Sequence, residues 1–159
     1  MNERMDLLLA ELEKLHARLE LSKTIQPDYF EPGMMEHLDQ YEGRYDASTG
    51  EILLRFGVKG TRYEGRTEAI EAVKLGDSIL VVRQTDNPHN PNNFTLVADR
   101  GQNVGNMPAE LCNAIAPLVD DGVLRIESAS VSYVEPLSRR SRYAKQAILF
   151  VELHLRQNG

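Results

Sequence analysis

The amino-acid sequence predicts a mainly β protein (α+β), built as a small, curled antiparallel sheet or barrel with one or two packed helices. Two observations carry this prediction. Short apolar runs recur along residues 44–159, separated by turns rich in Gly, Asn and Asp. Residues 3–22, by contrast, contain no Gly or Pro and are rich in Leu, Glu and Ala, which is typical of a helix. We therefore divide the chain into an acidic helical extension, residues 1–43, and a β domain, residues 44–159.

The N-terminal helix has apolar residues spaced alternately by three and four, the pattern of a coiled-coil seam. These residues are Met5, Leu8, Leu12, Leu15 and Leu19. Two interpretations remain open. The helix can pack on its own domain, or it can pair with a second copy or a partner helix. Fewer than three heptads is short for a stable coiled coil, which favours the first interpretation.

The elements of the β domain follow in order along the chain. A turn near residues 45–50 opens a strand at 52–58, and residues 67–75 form a helical turn. Apolar runs at 79–82 and 94–97 predict two strands. After a tight turn at 99–102, residues 103–106 lead into a helix at Pro108, which Pro117 should bend or end. Residues 123–133 and 147–155 complete the domain as strands.

The connection between the two central strands is unusually rich in Asn and Pro. Five Asn and Asp residues lie within eight positions, 86–93. Because Asx side chains stabilise turns by bonding their own backbone, the loop can be a rigid connector. It can equally be a binding loop, since polar loops carried on a sheet are frequent ligand sites.

Four stretches of the β domain, taken in order, resemble the HIRAN domain, a small module of DNA remodelling enzymes that also occurs as free-standing bacterial proteins. They are Gly60-Thr61-Arg62-Tyr63, Gly76-Asp77-Ser78-Ile79-Leu80, Asn87-Pro88-His89-Asn90-Pro91-Asn92-Asn93-Phe94, and Val104-Gly105-Asn106-Met107-Pro108. The resemblance covers roughly residues 55–155. It implies a six-stranded barrel related to the OB-fold, with helices packed outside.

The resemblance also implies a function. DNA-binding members of the family capture the 3′ end of single-stranded DNA, stacking an aromatic side chain on a base and recognising the 3′-hydroxyl with an acidic loop residue. The matching positions here are Arg62, Tyr63, Asn87, His89, Asn90, Asn106 and Tyr143. Three of them depart from the family, which prefers Tyr at position 89, Asp at 90 and often His at 106. An uncharged Asn90 would bind a hydroxyl more weakly than an acid does.

One basic cluster lies beside Tyr143. Its members are Arg139, Arg140, Arg142 and Lys145. The cluster is either a solvated loop between strands or a set of phosphate contacts. Charge counting alone argues against strong non-specific DNA binding, because residues 51–159 carry 13 acidic and 13 basic residues. The acidic excess of the chain falls in residues 1–50, with 11 acidic and 5 basic residues.

Other classes of function find little support in the sequence. There is no nucleophile elbow, no phosphate-binding Gly-Lys-Ser/Thr loop and no metal-ligand spacing, so we expect neither an enzyme nor a cofactor. The single cysteine, Cys112, is interpreted as a small buried hydrophobe. It fits a reducing compartment, and without an apolar segment of membrane length we expect a cytoplasmic protein. The sequence thus predicts a non-enzymatic module that binds single-stranded DNA at 3′ ends in DNA repair or processing. The alternative is a protein-interaction module that uses the heptad helix.

Overall fold

The computed structural model describes residues 3–10, 42–46, 48–63 and 65–158. Residues 3–10 are helical and are called α1. The remaining elements, in chain order, are β1 (Glu42–Asp46), β2 (Glu51–Gly57), α2 (Arg66–Glu71), β3 (Ile79–Gln84), β4 (Asn93–Ala98), β5 (Asn103–Asn106), α3 (Ala109–Asp120), β6 (Leu124–Glu135), a 3₁₀ turn (Leu137–Arg139) and β7 (Ile148–Gln157).

The strands form two antiparallel sheets. One has four strands in the order β1-β2-β7-β6, and the other has three in the order β3-β4-β5. Two single bridges, Lys59–Asn106 and Ser78–Ser130, join the sheets. The predicted mainly β fold with few helices is confirmed. The described part of the chain has seven strands in two sheets, where the resemblance implied six in one barrel.

The core lies between the sheets and α3, and the sequence pattern explains which residues enter it. β2 alternates buried Ile52, Leu54 and Phe56 with less buried residues, as a strand with one covered face does. β4 and β7 have longer buried runs, so parts of both faces of these strands are covered. Phe56 and Phe94 are fully buried, and each such side chain stabilises the fold by about 1.5–3 kcal/mol relative to exposure.

The end of α3 agrees with its prediction, and one strand does not. α3 closes at Asp120, as expected from Asp120-Asp121-Gly122, and Pro117 does not end it earlier, because a proline in the last turn removes only one helical N–H bond. Gly122, at φ 75°, then follows the end of the helix. Residues 103–106, expected to lead into the helix, are the strand β5. Its Asn and Gly residues have low β propensity, so pairing with β4 and Lys59 creates a strand that local sequence does not predict.

The described part of the N-terminal helix packs on its own domain. Met5 and Leu8 are each 3% exposed and belong to the hydrophobic core. Arg4 forms an ion pair with Asp121, just beyond α3. The other three residues of the heptad pattern, Leu12, Leu15 and Leu19, lie outside the described residues. Pairing with a second helix therefore stays a prediction.

The packing of α1 is testable with two neighbouring leucines. Leu8 is buried, whereas Leu7 is 70% exposed. Leu8→Asp buries an unpaired charge and should lower the free energy of unfolding by about 3 kcal/mol, whereas Leu7→Asp should change it by about 0.5 kcal/mol or less. Urea unfolding measures both. Equal effects, or a midpoint that depends on protein concentration, would instead favour helix pairing between chains.

Candidate nucleic-acid interface

Tyr63 lies on a tight turn between β2 and α2 and is 55% exposed. The turn begins at Gly60, whose φ of 75° favours glycine. Thr61 is 2% exposed, and its hydroxyl donates to the carbonyl of Ala147 at 2.9 Å. Thr67 in turn donates to the carbonyl of Thr61 at 2.9 Å. These contacts hold an exposed aromatic ring on a rigid turn.

Two guanidinium groups lie within cation–π distance of the Tyr63 ring. Arg62 is 5.6 Å from the ring centroid and Arg66 is 5.3 Å from it. Arg66 is also anchored, since its Nη1 donates to the carbonyl of Gly60 at 3.1 Å. Sequence reasoning identified Arg62 but missed Arg66, the first residue of α2, whose N–H donates to the carbonyl of Tyr63 at 3.1 Å. The turn therefore combines one ring with two nearby positive charges, of which Arg66 is anchored to the backbone.

The Asn-rich loop between β3 and β4 is folded by its own side chains. Asn87 Oδ1 accepts from the backbone N–H groups of His89 and Asn90, each at 2.9 Å. Asn90 Oδ1 accepts from the N–H of Asn92 at 3.0 Å, and its Nδ2 donates to Asn113 on α3 at 3.1 Å. His89 is exposed. The loop is thus held by its own side chains, which is compatible with both a connector and a binding loop, and it presents His89 to solvent.

Arg83 ties this loop to α3. Its Nη1 donates to the carbonyls of Pro91 at 2.6 Å and Asn93 at 3.2 Å. Its Nε and Nη2 bind the two oxygens of Asp120 at 3.1 and 2.9 Å. The same hydrogen bond lowers the pKa of Asp120 below its ordinary value. Because one side chain spans strand, loop and helix, the loop is fixed on both sides.

Four polar side chains meet on the face of the three-stranded sheet that points away from the core. They are Gln84, Asn93, Thr95 and Asn106, called the amide cluster below. Asn93 is 6% exposed and Thr95 is 9% exposed, so the outer members Gln84 and Asn106 cover them. Sequence reasoning proposed Asn106 as a contact residue. It missed Gln84, which looked like an ordinary end of a strand.

The predicted basic cluster divides into exposed and buried members. Tyr143 is 69% exposed, and Arg142 lies 4.9 Å from its ring centroid and donates to its hydroxyl at 2.7 Å. Arg139 and Lys145 are exposed. The side chain of Arg140 is only 5% exposed; it pairs with Glu135 at 3.5 Å and donates to the carbonyl of Gln146. Arg140 therefore stabilises the loop that carries the other three.

The Tyr63 turn, residues 60–63, lies between β5 and the loop of residues 139–145, which is called the basic loop below. Lys59 and Asn106 exchange two backbone hydrogen bonds of 2.9 Å, which place the start of the turn beside β5. On the other side, Thr61 bonds to Ala147. Glu71, at the end of α2, accepts from the N–H and hydroxyl of Ser138, and these bonds lower its pKa. Candidate binding residues that are far apart in sequence are therefore held on neighbouring segments.

The basic residues are not spread evenly over the surface, although residues 51–159 carry equal numbers of acidic and basic residues. The segments 59–66 and 139–145 together contain seven basic residues and one acidic residue. Residues 51–159, which are neutral as a whole, thus have seven of their 13 basic residues in two adjacent segments. Lys59 and Arg66 were missed by sequence reasoning; the available signal was a basic residue on each side of an aromatic one. A local positive surface is sufficient for contacts to a few phosphates.

The placement of the described His, Cys, Asp and Glu side chains bears on metal binding and on thiol chemistry. Within the described ranges, no group of three His, Cys, Asp or Glu side chains could hold a metal ion. Cys112 is fully buried, and burial raises the pKa of its thiol. Such a thiol is a poor nucleophile. Likewise, none of the described helices has the length and apolar character needed to cross a membrane.

Fold and surface together define a small β module with exposed aromatic and basic side chains on rigid loops. The profile of the HIRAN domain family matches residues 53–151. Since this match covers more than half of the chain, the protein belongs to the HIRAN domain family.

Three solved structures are similar to this chain. A Lactobacillus plantarum protein is 17% identical, with 68% of this chain and 100% of that chain covered, at a TM-score of 0.50. At that identity the likeness establishes the fold alone. The crystal structure of the HIRAN domain of human HLTF gives 20% identity, coverage of 69% and 82%, and a TM-score of 0.49. The NMR structure of the HLTF HIRAN domain in its DNA-bound conformation is 20% identical, with 67% of this chain and 76% of that chain covered, at a TM-score of 0.46. No curated protein matches the chain.

Proposed function

We propose that this protein is a non-enzymatic module that binds single-stranded DNA, preferably at 3′ ends, in DNA repair or processing. The observation that carries the proposal is Tyr63, a half-exposed ring held on a rigid turn beside Arg62 and Arg66. Membership in the HIRAN family supports the same assignment.

Each part of the surface has a task in this proposal. The ring of Tyr63 stacks on an unpaired base, which contributes about 1–3 kcal/mol and is indifferent to sequence. Arg62, Arg66 and Lys59 neutralise the phosphates on either side of that base. Tyr143 and Arg142 extend the binding surface along the bound DNA strand. Their loop lies beside the Tyr63 turn, because Thr61 bonds to Ala147 just after that loop.

Asn90 is the residue proposed to receive the 3′-hydroxyl. A carbonyl oxygen can accept two hydrogen bonds, and among the described residues Asn90 Oδ1 has one donor, the N–H of Asn92. Asn87 Oδ1 already has two donors, so it has no such capacity. The hydroxyl would thus donate to a neutral amide oxygen, and we expect a smaller preference for 3′-hydroxyl ends than an acid would provide.

Fluorescence anisotropy with a labelled single-stranded 10-mer tests the proposal. The strand ends in a 3′-hydroxyl or a 3′-phosphate, and each is measured at two salt concentrations. We expect binding that weakens with salt and is tighter for the hydroxyl end. Equal affinity for both ends would reject 3′-end recognition and leave a general single-strand binder. No binding to either strand would reject DNA binding.

The alternative function, protein interaction through the heptad helix, has less support. Met5 and Leu8 are buried against the domain, so they are not available to a partner while α1 stays docked. The hypothesis then depends on Leu12, Leu15 and Leu19. It becomes the leading proposal if the protein binds neither strand.

A further inference from the structure

The amide cluster has a fixed hydrogen-bonding direction. Asn87 Oδ1 is held by two backbone N–H groups, so its Nδ2 must point toward Gln84, to whose Oε1 it donates at 3.0 Å. Because Asn87 donates with its Nδ2, the Gln84 atom that faces it must be the acceptor, Oε1. The Nε2 of Gln84 then faces away from Asn87. The same oxygen accepts from Asn93 Nδ2 at 2.8 Å, which fills its second acceptor position, and the Thr95 hydroxyl lies 2.9 Å from it.

The direction continues to the opposite strand. Since Asn93 presents its Nδ2 to Gln84, it also donates with this group to Asn106 Oδ1, at 3.2 Å. The oxygens of both outer amides are therefore occupied from within the sheet. Among the described residues, neither Gln84 Nε2 nor Asn106 Nδ2 has a hydrogen-bond partner. Two NH₂ groups with four N–H donors are left at the surface.

The neighbouring side chains on this face are aliphatic. Strand pairing places Val82 opposite Thr95 and Leu80 opposite Val97. Val82 is 39% exposed and Leu80 is 63% exposed. Apolar surface beside neutral donors suits a flat, uncharged ring better than a phosphate, because the basic residues that would attract phosphate lie on the Tyr63 turn and the basic loop.

We propose that the amide cluster and Val82 form a nucleobase subsite that selects keto bases, thymine or guanine, in the bound single strand. This inference rests on the proposed function and adds base selectivity to it. Thymine presents O4, and guanine presents O6 and N7, all of which accept hydrogen bonds. Cytosine and adenine carry an exocyclic NH₂ donor at the corresponding position, which would face the N–H donors of Gln84 and Asn106. Asn and Gln usually read adenine with both amide atoms, and here the oxygens are occupied.

Binding of dT10 and dC10 distinguishes the two types of base. Both are pyrimidine strands of equal length and charge, so backbone contacts and strand flexibility are matched. We expect dT10 to bind about tenfold more tightly than dC10, the discrimination typical of a well-formed base contact. Equal affinity for the two strands would overturn the subsite and leave the proposed function intact. Binding of neither strand would reject both.

Gln84→Glu tests the residue. It retains an oxygen for Asn87, Asn93 and Thr95 but replaces the outward NH₂ with an acceptor. The ratio of dT10 to dC10 affinity should fall from about ten to about one or below. Gln102→Glu is the matched control, because Gln102 is exposed on the turn between β4 and β5 and receives the same charge. It should weaken both strands alike and preserve the ratio. A ratio that Gln84→Glu leaves unchanged would overturn the assignment.

A measurement on the unmodified protein covers the case of a variant that does not fold. The side-chain NH₂ resonances of Gln84 and Asn106 can be followed by NMR during titration with dT10 and dC10. We expect both to shift with dT10 and to shift much less with dC10. Shifts confined to the Tyr63 turn would place the base elsewhere and contradict the subsite.

Discussion

Tyr63→Ala should weaken binding of a single-stranded 10-mer by about 10- to 100-fold, the loss expected when one base–aromatic stack is removed. The ring is 55% exposed and lies within cation–π distance of the flanking guanidinium groups of Arg62 and Arg66, so its removal should disturb the fold little. The loss should persist at high salt. Salt weakens phosphate contacts by competing for the phosphates, whereas it has little effect on base stacking. Anisotropy titrations at two salt concentrations measure both features.

Two further variants make the result specific to stacking at this position. Tyr63→Phe keeps the ring and should retain most of the affinity. Tyr45→Ala removes another partly exposed tyrosine, 37% exposed on β1 and bonded to Gln157, and should leave binding unchanged. If Tyr63→Ala binds like the unmodified protein, or if Tyr45→Ala loses as much affinity, the Tyr63 turn is not the platform for a base.

Most of the fold was accessible from sequence because alternation and turn residues act locally. The strand at 148–157 and the helix after Pro108 were both predicted, since burial on one face leaves a periodic trace. β5 leaves no such trace. It pairs with the adjacent strand β4 and, through Asn106, with Lys59, which is distant in sequence, and its own residues are poor strand formers. A strand created by its neighbours cannot be predicted from its composition.

The candidate site was accessible only in part, for a related reason. Tyr63 and Arg62 were found through a family resemblance, whereas Arg66 and Lys59 join them only when the turn folds. The direction of the Gln84 amide depends on two backbone N–H groups in a loop that begins after the strand. Asn87 and Asn90, predicted as contacts, first serve to fold that loop. Residue identity indicates which groups are present, and only the fold determines which of them remain available.

Gly105→Ala should reduce the free energy of unfolding by about 3–5 kcal/mol and should weaken DNA binding with it. Gly105 has a φ of 143°, and a Cβ there would lie 2.6 Å from the carbonyl oxygen of Lys59 and 2.4 Å from Val58 Cγ1. The Val58 methyl can rotate away, but the Lys59 carbonyl is held in the bridge to Asn106. Backbone strain and overpacking each cost about 1–3 kcal/mol, and here they act together.

Gly101→Ala is the control that separates the close contact from the backbone conformation. Gly101 also has a positive φ, 84°, but a Cβ there would meet nothing within 4 Å. Its substitution should cost only about 1–2 kcal/mol. Urea unfolding of the two variants gives the difference directly. A clear excess for Gly105→Ala means that the approach of Lys59 to β5, which joins the sheets and positions the Tyr63 turn, requires a residue without a side chain. Equal losses would mean that the Lys59–Asn106 bridge shifts to accommodate the Cβ. The segments 59–66 and 139–145 would then be held together by the hydrogen bonds of Thr61 and Glu71 instead.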